Sequence, residues 1–126
     1  MSGRVVYFEI PFDESSRARA FYHDVFGWYA QSAADAPGYT VVTTGPSGDD
    51  GPVEAGFING GLTARADLLL RPAITIDVVD IDGALVEVEK HGGRMVGTKA
   101  PVGDLGYAAY FTDTEGNLMG LWQNAA

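Results

Sequence analysis

Residues 5–26 read VVYFEIPFDESSRARAFYHDVF, and residues 74–91 read ITIDVVDIDGALVEVEKH. The two stretches state one plan twice. In the first, residues 5–12 predict a strand and residues 15–26 an amphipathic helix that stops at Gly27. Ala18, Phe21, Tyr22, Val25 and Phe26 fall at i, i+3, i+4, i+7 and i+8, one face of a helix. Asp13 or Ser15 can cap it. In the second, residues 74–79 predict a strand and 81–91 a helix capped by Asp80 and stopped at Gly92-Gly93. Its buried side would carry Ile81, Ala84, Leu85 and Val88.

Short β-like runs follow each helix. After the first they lie near 28–33, 38–44 and 53–59, with a turn at Pro37-Gly38 and a polar loop over 45–52. After the second they lie near 94–97, 106–112 and 118–123, the last two joined by a turn at 113–117. The organisation is βαβββ twice. It divides as module one at 1–60, a linker at 61–72 and module two at 73–126, all within a single domain of 126 residues.

Composition narrows the function classes. The hydrophobic fraction is 46% and the charged fraction 20%, values of a chain that folds around a core. There is no cysteine, which excludes disulfides, thiol catalysis and cysteine-bound zinc. A formal charge of −9 argues against nucleic acid or an anionic membrane and suits a cationic ligand. The N-terminal MSGRVVYF leads into the first strand without a signal-peptide pattern, so a cytoplasmic location is expected.

The chain resembles the vicinal oxygen chelate superfamily, which contains glyoxalase I, the bleomycin-resistance proteins and the extradiol dioxygenases. The likeness rests on three motifs in order: Phe21-Tyr22-x-x-Val25-Phe26-Gly27-Trp28, Val79-Asp80-Ile81-Asp82, and Phe111-Thr112-Asp113-Thr114-Glu115-Gly116-Asn117. Thr114 stands where the family usually has proline. The resemblance implies an α+β fold in which the paired modules form a curved, mostly antiparallel cup with helices outside. It also implies a homodimer.

Members with a metal hold it in that cup through His or Glu from four strands. Aligned through the motifs, those positions become Tyr7, Glu54 or Gly56, Ala73 and Gly120, of which only Glu54 is a conventional ligand. The two histidines, His23 and His91, both fall in predicted helices. Glyoxalase I chemistry and ring-cleaving dioxygenation are therefore not expected, and no cofactor is. Strand alternation still places Glu9 with Tyr7, and Asp77 with residue 73, so Glu9, Glu54 and Asp77 remain weak candidates for an all-oxygen divalent site.

Glu9 is the candidate catalytic acid, set in an apolar strand between Phe8 and Ile10. It is a general base, a cation binder, or a structural acid paired within the sheet. Tyr7, Glu9, Trp28, Asp77, Tyr110, Gly120 and Trp122 form the expected ligand site, with Gly120 making room and Trp122 supplying a wall. Lys99 and Asp104 stand where a loop would gate the mouth. The leading reading is a metal-independent binder of a small cationic or aromatic molecule. The alternative is a lyase or isomerase using Glu9 as base or a carboxylate-held metal.

Overall fold

In a computed structural model, which describes residues 3–33, 38–66 and 68–126, the chain is α+β and divides into two compact units. One is Tyr7–Pro72; the other joins residues 73–126 to the N-terminal residues through Val6. Part of the turn expected at Pro37-Gly38 lies outside the described residues.

In the Tyr7–Pro72 unit, β1 (Val5–Phe12) leads into α1 (Ser15–Phe26), then β2 (Tyr29–Ser32) and β3 (Thr40–Thr43). A two-residue hairpin, β4 (Ser47–Gly48) and β5 (Gly51–Pro52), occupies what the sequence suggested was only loop. The last strand is β6 (Asn59–Ala64). The strand order is β2-β3-β6-β1, with β1 and β6 parallel and the other neighbours antiparallel.

The cap of α1 is neither Asp13 nor Ser15. Glu14 takes that place, its carboxylate accepting from the backbone N–H groups of Ser16 and Arg17 at 3.3 and 2.7 Å. Asp13 instead pairs with Arg65 at 3.0 Å, holding the chain that leaves β6. Gly27 ends the helix in the left-handed region, at φ 75°, as its position predicted.

The fourth strand of this half is displaced from its expected place at 53–59. Residues 53–56 form a bend that closes at Gly56, whose φ of 111° glycine adopts without strain. The strand starts at Asn59 and runs into the stretch expected to be linker. Its Gly60-Gly61 pair lies at the boundary between module one and the linker. The reason for both glycines is steric: a Cβ on Gly60 would overlap the Phe8 ring, and one on Gly61 the Tyr39 ring and hydroxyl.

In the other unit, β7 (Ala73–Asp77) precedes α2 (Ile81–Lys90), β8 (Arg94–Val102), β9 (Gly106–Thr112) and β10 (Leu118–Asn124). The order is β7-β10-β9-β8, parallel only between β7 and β10. The N-terminal residues lie along β7, with Gly3 N–H donating to Asp77 O and Asp77 N–H to Arg4 O, both at 2.8 Å. Asp80 caps α2 through Gly83 N–H, and Gln123 of β10 accepts from Ile81 N–H at 2.8 Å. The helix presses Ile81 and Leu85 onto Ala109, Phe111 and Leu121, with Ala84 and Val88 packed at the edge. The predicted buried side of α2 is the observed one.

β8 is longer than the sequence suggested, because it bends without stopping. Its register against β9 shifts between Val96 and Ala100, around Gly97 at φ 68°. Lys99 therefore lies within a strand and not in a gating loop, bonded to Asp82 of α2 at 2.9 Å with its ammonium 5.0 Å from the Tyr107 ring centre. Among the described residues no helix is long and apolar enough to cross a membrane.

Candidate functional site

Alternation along each strand decides which expected site residues share a face. In the Tyr7–Pro72 unit, Phe8 contacts Trp28 at 5.4 Å, and Trp28 stacks on Tyr22 of α1 at 4.8 Å with ring planes 10° apart. The even-numbered residues of β1 thus face α1, and Tyr7 and Glu9 face away from it. The register carries the same face across β6 to Asn59 and Gly61, and across β3 to Val41.

Trp28 is therefore on the opposite face from Tyr7 and Glu9. The cause is Gly27: its left-handed turn folds the chain back so that Trp28 N–H reaches Tyr22 O at 3.3 Å and the indole lies on the end of the helix. The Phe-Tyr-x-x-Val-Phe-Gly-Trp motif works here as a lock on the helix terminus.

On the face away from α1, the Tyr39 hydroxyl donates to the Tyr7 hydroxyl at 3.0 Å. The Tyr39 ring lies over Gly61, the residue opposite Glu9 in the register. Glu9 is 6% exposed and Tyr7 half-buried. Burial pushes the Tyr7 phenol above its usual range. The hydrogen bond from Tyr39 opposes that rise, and the negative charge of Glu9 adds to it. With its value raised, the Tyr7 phenol is protonated at neutral pH. The face thus presents a protonated phenol with a carboxylate beside it.

Tyr39 and Gly61 were not in the expected site. The signal that could have found them is the Gly60-Gly61 pair between β-forming residues, since a glycine inside a strand marks the close approach of another group. Asn59 lies opposite Tyr7, but its side chain is already engaged. Its Oδ1 accepts from Thr44 N–H at 2.9 Å and its Nδ2 donates to Ser47 Oγ at 2.8 Å.

In the other unit, Ala109, Phe111 and Leu121 pack on α2, so Tyr110, Gly120 and Trp122 face away from it, together with Thr75 and Asp77. The strands bring four expected residues, Asp77, Tyr110, Gly120 and Trp122, onto one face. Gly120 does not open a space there. A Cβ built on it would lie 2.7 Å from the Thr75 hydroxyl, which fills the room the missing side chain leaves. Nor does Trp122 stand over Gly120. Its ring lies along Gly106, where a Cβ would meet Cζ2 at 2.8 Å, and its indole N–H donates to Asn124 Oδ1 at 2.8 Å.

The residues do not fit the superfamily's metal. Tyr7, Ala73 and Gly120 stand at three ligand positions, and none is a nitrogen or carboxylate donor. Glu54 lies in the bend at 53–56 and outside the sheet, which removes it from the fourth-strand position; Asn59 and Gly61 are the residues that strand places beside Tyr7 and Glu9. His23 is exposed beside Asp24, and His91 Nδ1 lies 2.8 Å from Glu87 O at the end of α2. Among the described residues no group of three His, Cys, Asp or Glu is gathered closely enough to hold an ion.

Comparison with known proteins agrees with this fold. The family model for the bleomycin resistance protein-like N-terminal region matches residues 4–45. A glyoxylase-like domain-containing protein of Didymella fabae is 29% identical over 126 residues, covering 96% of this chain and 94% of that one. Among solved structures, methylmalonyl-CoA epimerase from Mycobacterium tuberculosis is similar with a TM-score of 0.64 at 18% identity, over 97% of this chain and 88% of the epimerase. A glyoxalase/bleomycin resistance protein/dioxygenase superfamily member from Vibrio splendidus is similar with a TM-score of 0.62 at 17% identity, over 96% of this chain and 97% of the other. Two βαβββ repeats in order, the three sequence motifs and these likenesses converge: the chain is similar to the glyoxalase, bleomycin-resistance and dioxygenase proteins in fold, and to the bleomycin resistance protein-like family over residues 4–45.

Proposed function

We propose that the chain is a metal-independent small-molecule-binding protein of the glyoxalase and bleomycin-resistance type, with its ligand on the Tyr7, Glu9 and Tyr39 face. The observation that carries this reading is the phenol pair over Gly61, with the buried Glu9 alongside. A protonated Tyr7 donates to an acceptor atom of the ligand, and the Glu9 carboxylate favours a cationic or hydrogen-bond-donating group next to it. The donor set at the superfamily's ligand positions supports independence from metal. Bleomycin, which the family description names, is the first probe. Calorimetric titration without added metal should show saturable binding to the wild type and at least a tenfold loss in Glu9→Gln. Equal affinity in the two proteins would sink the assignment of this face.

The protein is a homodimer in this reading. Its support is the apolar surface left exposed on α1 and the start of β2, where Phe21, Val25, Phe26 and Tyr29 are each more than half accessible.

A second reading is favoured by the buried position of Glu9 beside a phenol that stays protonated. The Glu9 carboxylate takes a proton from a carbon next to a carbonyl, and the electron pair moves to the carbonyl oxygen, which accepts a hydrogen bond from Tyr7. Protonation of the opposite face of that carbon by water, with Glu9 passing its own proton to solvent to restore the charge balance, gives an isomerase. Methylmalonyl-CoA, named by one structural neighbour, is the test substrate. Incorporation of deuterium from D2O at its α-carbon, abolished in Glu9→Gln, is the expected result of this reading. No incorporation beyond the uncatalysed rate would remove it.

A further inference from the structure

We infer that Asp50 is a modification site: in the folded protein it isomerises spontaneously to isoaspartate, the product that an isoaspartate-specific methyltransferase recognises. The chain has three places where Asp or Asn precedes glycine, at Asp50-Gly51, Asn59-Gly60 and Asp82-Gly83. The chemistry is open to all three. A glycine nitrogen, unshielded by a side chain of its own, attacks the side-chain carbonyl carbon of the residue before it and closes a five-membered succinimide. At Asp50 a carboxyl oxygen leaves as water, taking the Gly51 amide proton and one proton from solvent. Water then opens the ring, and the solvent proton is returned. Attack at the side-chain carbonyl restores aspartate. Attack at the main-chain carbonyl of Asp50 sends the chain through the former side chain. The mass is unchanged, and no co-reactant is consumed.

The surroundings choose among the three. Ring closure needs the backbone to turn and the glycine nitrogen to be released, so the rate follows the ease of local opening. Asn59 is 8% exposed, with Oδ1 accepting from Thr44 N–H at 2.9 Å and Nδ2 donating to Ser47 Oγ at 2.8 Å. Gly60 is paired on both sides, with Phe8 of β1 and Val42 of β3. Asp82 sits in the first turn of α2, its carboxylate accepting from Lys99 Nζ at 2.9 Å, and Gly83 N–H donates to Asp80 Oδ2 at 3.1 Å. Neither kind of hold acts on Asp50. It is exposed in the turn of the β4–β5 hairpin, a two-stranded sheet of its own that pairs Ser47 with Pro52 and Gly48 with Gly51. Pro52 has no N–H to give that ladder, and a two-stranded hairpin by itself is marginal. A Cβ built on Gly51 meets nothing within 4 Å, so the attacking nitrogen is uncrowded. Isoaspartate adds one atom to the backbone of a two-residue turn, which breaks the register of both pairs. Ser47 then loses its place beside Asn59, the residue opposite Tyr7.

The test is ageing of the full chain at neutral pH and body temperature, folded and in urea, followed by proteolysis and fragment mass spectrometry that separates aspartate from isoaspartate. In the folded protein isoaspartate should form at Asp50 at no less than about a tenth of its rate in urea, whereas Asn59 and Asp82 should slow at least about 100-fold, as local opening dictates. The aged, folded protein should then accept one methyl group per modified chain from S-adenosylmethionine and a purified isoaspartyl methyltransferase. Asp50→Glu, whose longer side chain cannot close the five-membered ring, should accept none. Asp50→Asn should form the same succinimide faster, with ammonia leaving and a gain of one mass unit. In the modified fraction the Asn59 side-chain amide resonance should shift. No isoaspartate at Asp50 in the folded protein, or a slowing there as large as at Asp82, would overturn the inference. So would methylation of folded Asp50→Glu to the wild-type level.

Discussion

The two units repeat one order of elements and bury different things. In the unit built on residues 73–126, α2 drives Ile81 and Leu85 into contact with Ala109, Phe111 and Leu121, a continuous apolar core. In the Tyr7–Pro72 unit, α1 buries none of its residues; Phe21, Val25 and Phe26 remain 54, 57 and 60% exposed. Among the described residues of that unit, Val42 and Leu62 are the fully buried apolar side chains, and the close contacts are instead rings over glycines and a phenol pair beside an acid. A filled core has no room for a ligand. Under the proposed function, the duplicated architecture separates a stabilising half from the half that holds the ligand face.

Core substitutions should split the two units most widely. Leu85→Ala removes a 6%-exposed side chain from the core and should cost about 2–5 kcal/mol in urea unfolding. Phe21→Ala, whose ring contacts Tyr22 edge-on at 5.2 Å, should cost about 0.5–1.5 kcal/mol. Equal losses would break the comparison. Next comes Gly61→Ala, whose new methyl collides with the Tyr39 ring; about 1–3 kcal/mol of overpacking cost is expected, with loss of the Tyr39–Tyr7 bond seen in near-UV circular dichroism. An unchanged spectrum would mean the ring is not held there.

Tyr7→Phe should have a smaller effect, about 0.5–1.5 kcal/mol at neutral pH for one hydrogen bond. Its clearer signature is alkaline. The phenol is raised in the folded state, so the native protein holds the proton over a range where the unfolded chain has released it. The stability this adds is complete below the ordinary value near 10 and disappears as pH rises through the folded value. Unfolding curves above pH 10 should therefore fall more steeply for the wild type than for Tyr7→Phe. Asp113 gives the smallest expected effect. Bonds from Asn117 and Glu115 hold its carboxyl below the usual range, so its contribution is present above about pH 4 and is lost as pH falls through the lowered value. The site is exposed and screened, so Asp113→Asn should alter only the acid limb of the stability curve, and slightly.

Much of the fold was legible because it is local or periodic. The helix stripe of α2, the Asp80 cap, the Gly27 stop and the final hairpin all follow from neighbouring residues. What the sequence hid depends on partners far along the chain. β6 was misplaced because its two glycines are explained only by Phe8 and Tyr39, more than twenty residues away. Glu9 and Tyr7 could be put on one face by alternation, whereas Tyr39 joins them through a contact 32 residues distant. The space over Gly120 was misjudged for the same reason: Thr75, on another strand, fills it. Trp28 was assigned by its aromatic character, and the turn at Gly27 settles its side of the sheet.

Native mass spectrometry of untagged protein purified without chelator tests the central claim most directly. The account predicts wild-type chains free of any stoichiometric divalent ion, carrying an organic adduct that Glu9→Gln loses. One tightly bound divalent ion per chain would contradict it and return the function to a metal that the donors at Tyr7, Ala73 and Gly120 do not explain.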